Sequence, residues 1–267
     1  MSLPTSLDAL LHLTRQAGEA ILDIYNTDFE VETKQDNSPL TAADLAAHRL
    51  IVSTLEELTP EIPVLSEESS KIPFEIRRDW PRYWLIDPLD GTREFVKRNG
   101  EFTVNIALID NHRAVFGAVY APVLDTLYYG IAGTGAFKQT GAERQQAIRV
   151  TTPCAHPARV VGSRSHAGDS LRAYLERLGE HEMVSMGSSL KLCLVAEGKA
   201  DVYPRLGPTS EWDTAAAQAV VEAAGGRVTT LDLQTLSYNT KDSLLNPYFL
   251  VFGDEQRDWS AYLDASS

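Results

Sequence analysis

Cysteine is nearly absent from this 267-residue chain, which carries only Cys154 and Cys193. A disulfide-stapled scaffold is thereby excluded, because such frameworks belong to small exported domains with many paired cysteines, and both thiols are read as reduced and structural. Missing too is any apolar run approaching the roughly 18 residues that a membrane span requires. The first apolar segment, 7–24, is interrupted by Asp8, Arg15, Gln16 and Glu19, which removes the unbroken core of a secretory signal. A cytoplasmic location is expected, and peripheral attachment to the cytoplasmic face of the inner membrane is compatible with it. Basic residues are in deficit: 24 Lys and Arg against 37 Asp and Glu leave a formal net charge of -13. A surface of that sign repels nucleic acid polymers, whose binding relies on matching phosphates with Lys and Arg. Internal repeats, low-complexity tracts and long linkers are lacking as well. Nothing in the sequence specifies an oligomeric state.

What is present is a globular balance, 43% apolar and 23% charged, in a chain long enough to bury a full core. Helical spacing is clearest at Leu7, Leu10, Leu11, Ala17, Ile21 and Ile24, then at Leu45, Ile51, Leu55 and Leu58, and over 215–224 before Gly225-Gly226. Thr41 with Asp44 three residues on resembles a capping box for the second of these, with Asp in place of Glu or Gln. Further helices are expected over 169–178, 188–197 and 213–224. Strands are expected at 62–65, 83–86, 102–109, 115–120, 126–131, 160–161 and 200–203. Phe102, Val104, Ile106 and Leu108 alternate with Thr103, Asn105 and Ala107, as in a sheet with helices on one face and mixed contacts on the other. Helices layered on two sheets in a single domain are predicted, with lobes of about 1–150 and 151–267.

Acids gather at three places where an apolar run ends. Tyr83-Trp84-Leu85-Ile86 leads directly into Asp87-Pro88-Leu89-Asp90-Gly91-Thr92, so Asp87 sits where side chains project above a sheet. Gly91 permits the sharp turn that returns Asp90 and Thr92 to the same point, and the Leu89 carbonyl can face inward there. Ile62-Pro63-Val64-Leu65 likewise runs into Ser66-Glu67-Glu68, and Asp213 opens the helix of Glu211-Trp212-Asp213-Thr214-Ala215-Ala216. Taken singly, an Asp-Gly is a surface turn and Asp213 a helix cap. Taken together, Glu67, Asp87, Asp90 and Asp213 form a hard-oxygen set suited to Mg2+, and the six His residues are scattered without zinc spacing.

The segment from Asp87 to Thr92, paired with Trp212-Asp213-Thr214-Ala215-Ala216, resembles the two signatures of the inositol monophosphatase superfamily of lithium-sensitive phosphatases, over nearly the whole chain. Ser66 departs from the Gly that many members carry before the Glu. Segments 64–68, 95–108 and 187–191 are most similar to the bacterial 3'(2'),5'-bisphosphate nucleotidase branch, whose substrate, adenosine 3',5'-bisphosphate, arises in sulfate assimilation. The resemblance implies an α/β (α+β) fold, a five-layered α/β/α/β/α sandwich with the site between its lobes.

It also implies an Mg2+-dependent phosphomonoesterase. Glu67, Asp87 and the Leu89 carbonyl would hold one ion, Asp87, Asp90 and Asp213 a second, and a third would bind weakly near Glu67. Asp44 and Thr92 would form a hydrogen-bonded pair that, with Glu67, serves the attacking water, and no phosphoenzyme is expected. Glu67, Leu89, Asp90, Gly91, Thr92 and Asp213 would contact the substrate at its reacting phosphate. His166, Ser188, Lys191 and Arg205 would grip the second phosphate of a bisphosphorylated nucleotide, with Ser188 also opening a helix whose amides favour anions. An inositol or sugar phosphatase is the alternative on the same scaffold, and Lys97-Arg98 reads as a solvated loop.

Overall fold

A computed structural model of the chain describes residues 3–27, 39–162 and 168–264. Helix α1 (Leu7–Tyr25) starts where Ser6 Oγ accepts the Ala9 N–H at 3.2 Å, and it buries Leu10, Leu13, Ala17 and Ile21 at helical spacing. Helix α2 (Pro39–Leu58) has proline in its first turn, where an N–H has no intrahelical partner in any case. Thr41 therefore lies inside α2, and the capping box expected of Thr41 and Asp44 is corrected, the helix having begun upstream of it.

The chain continues through β1 (Val64–Ser66), α3 (Phe74–Arg77), β2 (Arg82–Asp90), α4 (Thr92–Val96), β3 (Thr103–Asp110), β4 (Arg113–Ala121), β5 (Thr126–Ile131), β6 (Gly135–Thr140) and β7 (Gln146–Ile148). These seven strands lie side by side in chain order, β1 parallel to β2 and the other pairs antiparallel. Then follow β8 (Ala158–Gly162), α5 (Asp169–Leu178), β9 (His181–Ser185), α6 (Leu190–Ala196), β10 (Val202–Arg205), α7 (Glu211–Ala223), β11 (Arg227–Thr230) and β12 (Phe249–Phe252). Their strands form a five-stranded sheet in the order β11-β12-β10-β8-β9. Strands β6, β7, β9, β11 and β12 were not expected from sequence: all but β6 are five residues or shorter, and Gln146 and Ala147 of β7 are exposed.

Alternation along the central strands of the first sheet sorts its side chains into two cores. Trp84, Ile86, Val104, Ile106, Leu108 and Phe116 meet α1 and α2 on one face. Leu85, Ala107, Ile109 and Val119 meet α6 and α7 on the other, so the face expected to make mixed contacts is covered by helix. The α6–α7 layer also packs on Val161, Tyr203, Val228 and Val251 of the second sheet. Tyr174 and Leu178 of α5 close the far side of that sheet, with Val160, Val202, Leu250 and Trp259. The result is the α/β/α/β/α sandwich, its middle helices buried between two sheets.

Helix α7 approaches the first sheet closely because two strand positions lack a side chain. A Cβ on Gly117 would lie 2.0 Å from the Ala216 carbonyl oxygen, and one on Gly130 would lie 2.6 Å from that of Ala219. Small residues on both partners bring the backbones together and fix where the N-terminus of α7 points. Both cysteines are free, with Cys193 buried in α6.

Candidate metal centre

Strand β2 carries its apolar run straight into the site. It pairs with β3 up to Asp87 and again at Asp90, opposite Thr103, with a register break between. Pro88, which has no N–H to give to a ladder, falls in that break, and the Leu89 N–H donates to Asp87 Oδ1 at 3.1 Å. The strand therefore runs past the expected end at 86, which holds Asp87 inside the sheet at 1% exposure. Gly91 takes the left-handed φ of 95° that turns the chain into α4.

Two further elements bring acids to the same point. Glu67 and Glu68 open a 3-10 turn (Glu67–Ser69) at the end of β1, which brings Glu67 beside Asp87. Asp213 stands in the first turn of α7, where its Oδ2 accepts the Ser210 N–H at 2.9 Å in a capping box. Capping engages that oxygen and still leaves Asp213 within the cluster: ligand atoms of Asp87, Asp90 and Asp213 all lie within 4.8 Å of one another.

Crowding raises the proton affinity of the whole group. Burial, then the charges of Asp90, Glu67, Asp213 and Asp44, hold the Asp87 carboxyl well above the usual carboxylate range. Asp90 is pushed up to about 7 by burial and then Asp213, against the pull of Lys191 and the Ser189 N–H. Asp213 rises to about 6, mainly through burial, and Glu67 is raised by burial as well. So many buried carboxylates are stable in their charged form only beside a cation. Among the described residues no His or Cys joins the cluster. This donor set fits a hard divalent ion: Asp87, Asp90 and Asp213 come close enough to share it, Glu67 stands beside Asp87 but outside that closest group, and the buried Leu89 backbone lies between Asp87 and Asp90.

Asp44 reaches the edge of this cluster from α2. Burial and the charges of Glu68 and Glu67 push its carboxyl up to about 8, while its Oδ1 stays buried without a partner. Thr92, exposed at the first position of α4, forms no hydrogen bond with Asp44 among the described residues. The expected pair is not formed; Asp44 instead lies near Glu68, whose exposed carboxyl places like charge beside it.

Beside Asp90 and Asp213 opens a pocket lined by Ser188, Lys191, Tyr203 and Arg205. Lys191 Nζ lies 5.9 Å from the centroid of the Tyr203 ring. Arg205 Nη2 donates to the Pro208 carbonyl at 2.7 Å, and its buried Nε has no partner. The helix expected from 188 begins instead at Leu190: Ser188 has a φ of 45°, and the next amide, Ser189 N–H, donates to Asp90 Oδ2 at 2.6 Å. His166 lies outside the described residues. Arg98 is no merely solvated side chain, since its guanidinium sits 4.8 Å from the Tyr25 ring centroid and donates to the Tyr25 carbonyl at 2.7 Å.

Several polar residues around the site escaped sequence reasoning. Ser189 Oγ donates to Asn105 Oδ1 at 2.8 Å and lies 2.8 Å from Thr103 Oγ1, and His48 Nδ1 lies 2.8 Å from Ser66 Oγ. The one available signal was polarity at alternate positions of an otherwise apolar strand, Thr103 and Asn105.

Comparison with known proteins supplies the lineage. The profile of the inositol monophosphatase family matches residues 4–258. The 3'(2'),5'-bisphosphate nucleotidase CysQ of Salmonella typhimurium is 53% identical over 92% of this chain and 98% of its own, and that of Escherichia coli K12 is 51% identical over the same shares. The crystal structure of CysQ from Bacteroides thetaiotaomicron superposes with a TM-score of 0.84 at 45% identity, covering 94% of this chain and 97% of that one. An inositol monophosphatase from Zymomonas mobilis shares the fold at 23% identity, with a TM-score of 0.77 over 96% of each chain. The chain belongs to the inositol monophosphatase family.

Proposed function

We propose that this chain is a 3'(2'),5'-bisphosphate nucleotidase that hydrolyses the 3'-phosphate of adenosine 3',5'-bisphosphate to give AMP and phosphate, with 3'-phosphoadenylyl sulfate as a further substrate. The observation that carries the reading is the meeting of Asp87, Asp90 and Asp213, joined by Glu67, beside a pocket lined by Lys191 and Arg205. A monophosphatase needs only the acids. The basic pocket next to them suits a second phosphate, which Arg and Lys bind through charge-assisted hydrogen bonds.

In this reading Glu67, Asp87, Asp90, Asp213 and the Leu89 carbonyl hold two Mg2+ ions, with a weaker third near Glu67. When bound, the ions reverse the repulsion between these carboxylates and a phosphate and polarise its oxygens. Asp44 and Thr92 orient the attacking water, the buried and unpartnered Asp44 Oδ1 being the acceptor available to it. Water adds to phosphorus as the bond to the ribose 3' oxygen breaks. A proton reaches that oxygen through a water held near Asp213, so no residue is phosphorylated. Lys191, Arg205, Ser188 and His166 bind the 5'-phosphate. Among the described residues no helix is long and apolar enough to cross a membrane. A cytoplasmic role in sulfate assimilation, acting on a small nucleotide, accords with the chemistry.

The test is phosphate release from adenosine 3',5'-bisphosphate and from inositol 1-phosphate, each with Mg2+ and then with added Li+. Faster turnover of the nucleotide, abolished by chelation and inhibited by Li+, is expected. Preference for inositol 1-phosphate would reverse the substrate assignment.

A further inference from the structure

Behind the acid cluster the buried polar contacts form a single directed chain. Thr103 and Asn105 stand two apart on β3, opposite Asp90 and Asp87 in the sheet register, so their side chains share one face. Thr103, Asn105 and Ser189 are all 2% exposed or less. The Ser189 hydroxyl proton goes to Asn105 Oδ1 at 2.8 Å, which leaves Thr103 as donor across its own 2.8 Å contact with Ser189 Oγ. Ser189 N–H goes to Asp90 Oδ2 at 2.6 Å. One residue at the start of α6 thus clasps three groups on two strands of the first sheet.

Two positions further on is Lys191, which with Arg205 lines the pocket beside the cluster. At its far end the seven-residue α6 is tied to the first sheet by its C-cap Glu197, which accepts from Tyr128 Oη at 2.8 Å and Lys138 Nζ at 2.7 Å. Between the two ends it packs through apolar side chains of the shared core, so near Lys191 the Ser189 contacts are the directed ones. Apolar contact is non-directional and permits sliding, whereas buried hydrogen bonds fix a register and are costly to leave unmade. Asn105 engages no side chain other than Ser189 among the described residues, its Nδ2 being buried and unpartnered.

We infer that Ser189 is a positioning residue: its hydroxyl clasp on Thr103 and Asn105 fixes the spacing between the acid cluster and the Lys191–Arg205 pocket, and so sets the preference for substrates with two phosphates. The inference rests on the proposed nucleotidase activity. Two anions on one nucleotide lie at a limited range of separations, and two sites locked at a matching distance bind both without strain. Loosening α6 lets Lys191 drift from the acids and from Arg205 on β10, and the second phosphate loses part of its grip.

The test compares adenosine 3',5'-bisphosphate with adenosine 3'-monophosphate, which lacks only the 5'-phosphate, using the full chain with Mg2+. Ser189→Ala deletes the hydroxyl and keeps the N–H on Asp90. The ratio of kcat/KM values, bisphosphate over monophosphate, is expected to fall about tenfold, mainly through KM for the bisphosphate. Thr103→Val, which removes the donor to Ser189, is expected to lower the ratio in the same direction, and Ser189→Thr to restore most of it. An unchanged ratio in folded Ser189→Ala and Thr103→Val overturns the inference, as does equal loss on both substrates. Calorimetry gives a readout free of turnover: Ser189→Ala should weaken AMP binding about tenfold relative to binding of inorganic phosphate. Parallel weakening of both would contradict the clasp. Should the unaltered chain release no phosphate from the bisphosphate, the proposed activity fails, and the comparison of AMP with phosphate still decides the role of Ser189.

Discussion

Asp44 of α2 faces Glu68, just beyond β1, and the charges of Glu68 and Glu67 add to burial in raising the proton affinity of Asp44. The neighbouring acids hold protons for the same reason of burial and like charge. Asp44 is pushed up to about 8, Asp90 to about 7 and Asp213 to about 6. A divalent cation must therefore displace protons when it binds. Mg2+ added to metal-free protein at pH 7 is expected to release protons, seen as a binding heat that varies with the ionisation enthalpy of the buffer. The same raised values act on stability. The contribution of these acids is fully present below their unfolded values near 4 and is lost as pH rises through about 6 to about 8. In EDTA, Tm should fall between pH 5 and pH 8, and Mg2+ should remove most of that slope. Buffer-independent heats with a flat metal-free Tm profile would contradict the electrostatics described.

Asp90→Asn separates charge from shape. The amide keeps an oxygen able to accept the Ser189 N–H, now at 2.6 Å from Asp90 Oδ2, so the fold should survive. Turnover should fall by about 10^3-fold or more, in the range seen when a central electrostatic group is removed. Metal-free Tm should hold or rise, because one like charge has left the cluster. Near-normal turnover with Mg2+ would remove Asp90 from the proposed ligand set.

Lys191→Ala examines the neighbouring pocket. Its ammonium pulls down the proton affinities of both Asp90 and Asp213, so it stands close enough to serve an anion bound beside them. KM for adenosine 3',5'-bisphosphate should rise about 10- to 100-fold, as expected for a charge-assisted contact, with a smaller change for inositol 1-phosphate. Equal losses on the two substrates would place Lys191 with the acids and not with the second phosphate.

How much of this was legible in the sequence depended on where the physical signal was local. The run from Tyr83 to Ile86 into Asp87 and Asp90 announces a strand ending in acids, and β2 delivers both carboxylates to one crevice. Helix α7 was expected to begin at Asp213 and begins at Glu211, near enough to keep Asp213 at its N-terminus. What stayed hidden was tertiary. Gly117 and Gly130 look like weak points within strands until α7 is laid against them. Thr103 and Asn105 read as residues on the mixed-contact face of an alternating strand, and nothing local shows that the start of α6 buries both. Asp44 carries no local mark of Glu68, its neighbour, because β1 and α2 meet only when folded.

Asp201, just before β10, offers a test of stability away from the site. It is 1% exposed and accepts N–H bonds from Ala155 at 3.2 Å and Arg159 at 2.7 Å, with the Arg159 guanidinium 2.8 Å away. Those hydrogen bonds hold its carboxyl below the usual range despite burial. A depressed acid stabilises the fold above its unfolded value near 4, and that contribution is lost as pH falls through the lower folded value. Asp201→Asn should lower stability by about 3 kcal/mol, because it strips the charge partner from a guanidinium that is already ordered. Urea unfolding at pH 7 checks the size, and the deficit should shrink toward pH 3. A deficit that persists unchanged at acid pH would mean that packing, not charge, is what Asp201 supplies.

Gly117 links core packing to catalysis. Its Cβ position lies 2.0 Å from the Ala216 carbonyl oxygen, far inside contact distance, so Gly117→Ala must push α7 away from β4. The helix cannot simply retreat, because its other side packs on the second sheet. Overpacking of this kind costs about 1–3 kcal/mol. Asp213 rides on the same helix three residues from Ala216, and displacement by about 1 Å is enough to lower turnover about 10^2-fold. Gly133→Ala is the control: its φ of 77° strains an added side chain, but nothing lies within 4 Å, so it should lose roughly 1 kcal/mol with kcat/KM unchanged. Chemical denaturation and steady-state kinetics with Mg2+ would be run on both variants. If Gly117→Ala proved as stable and as active as the Gly133 control, the close seating of α7 would not be what aims Asp213 at the other acids.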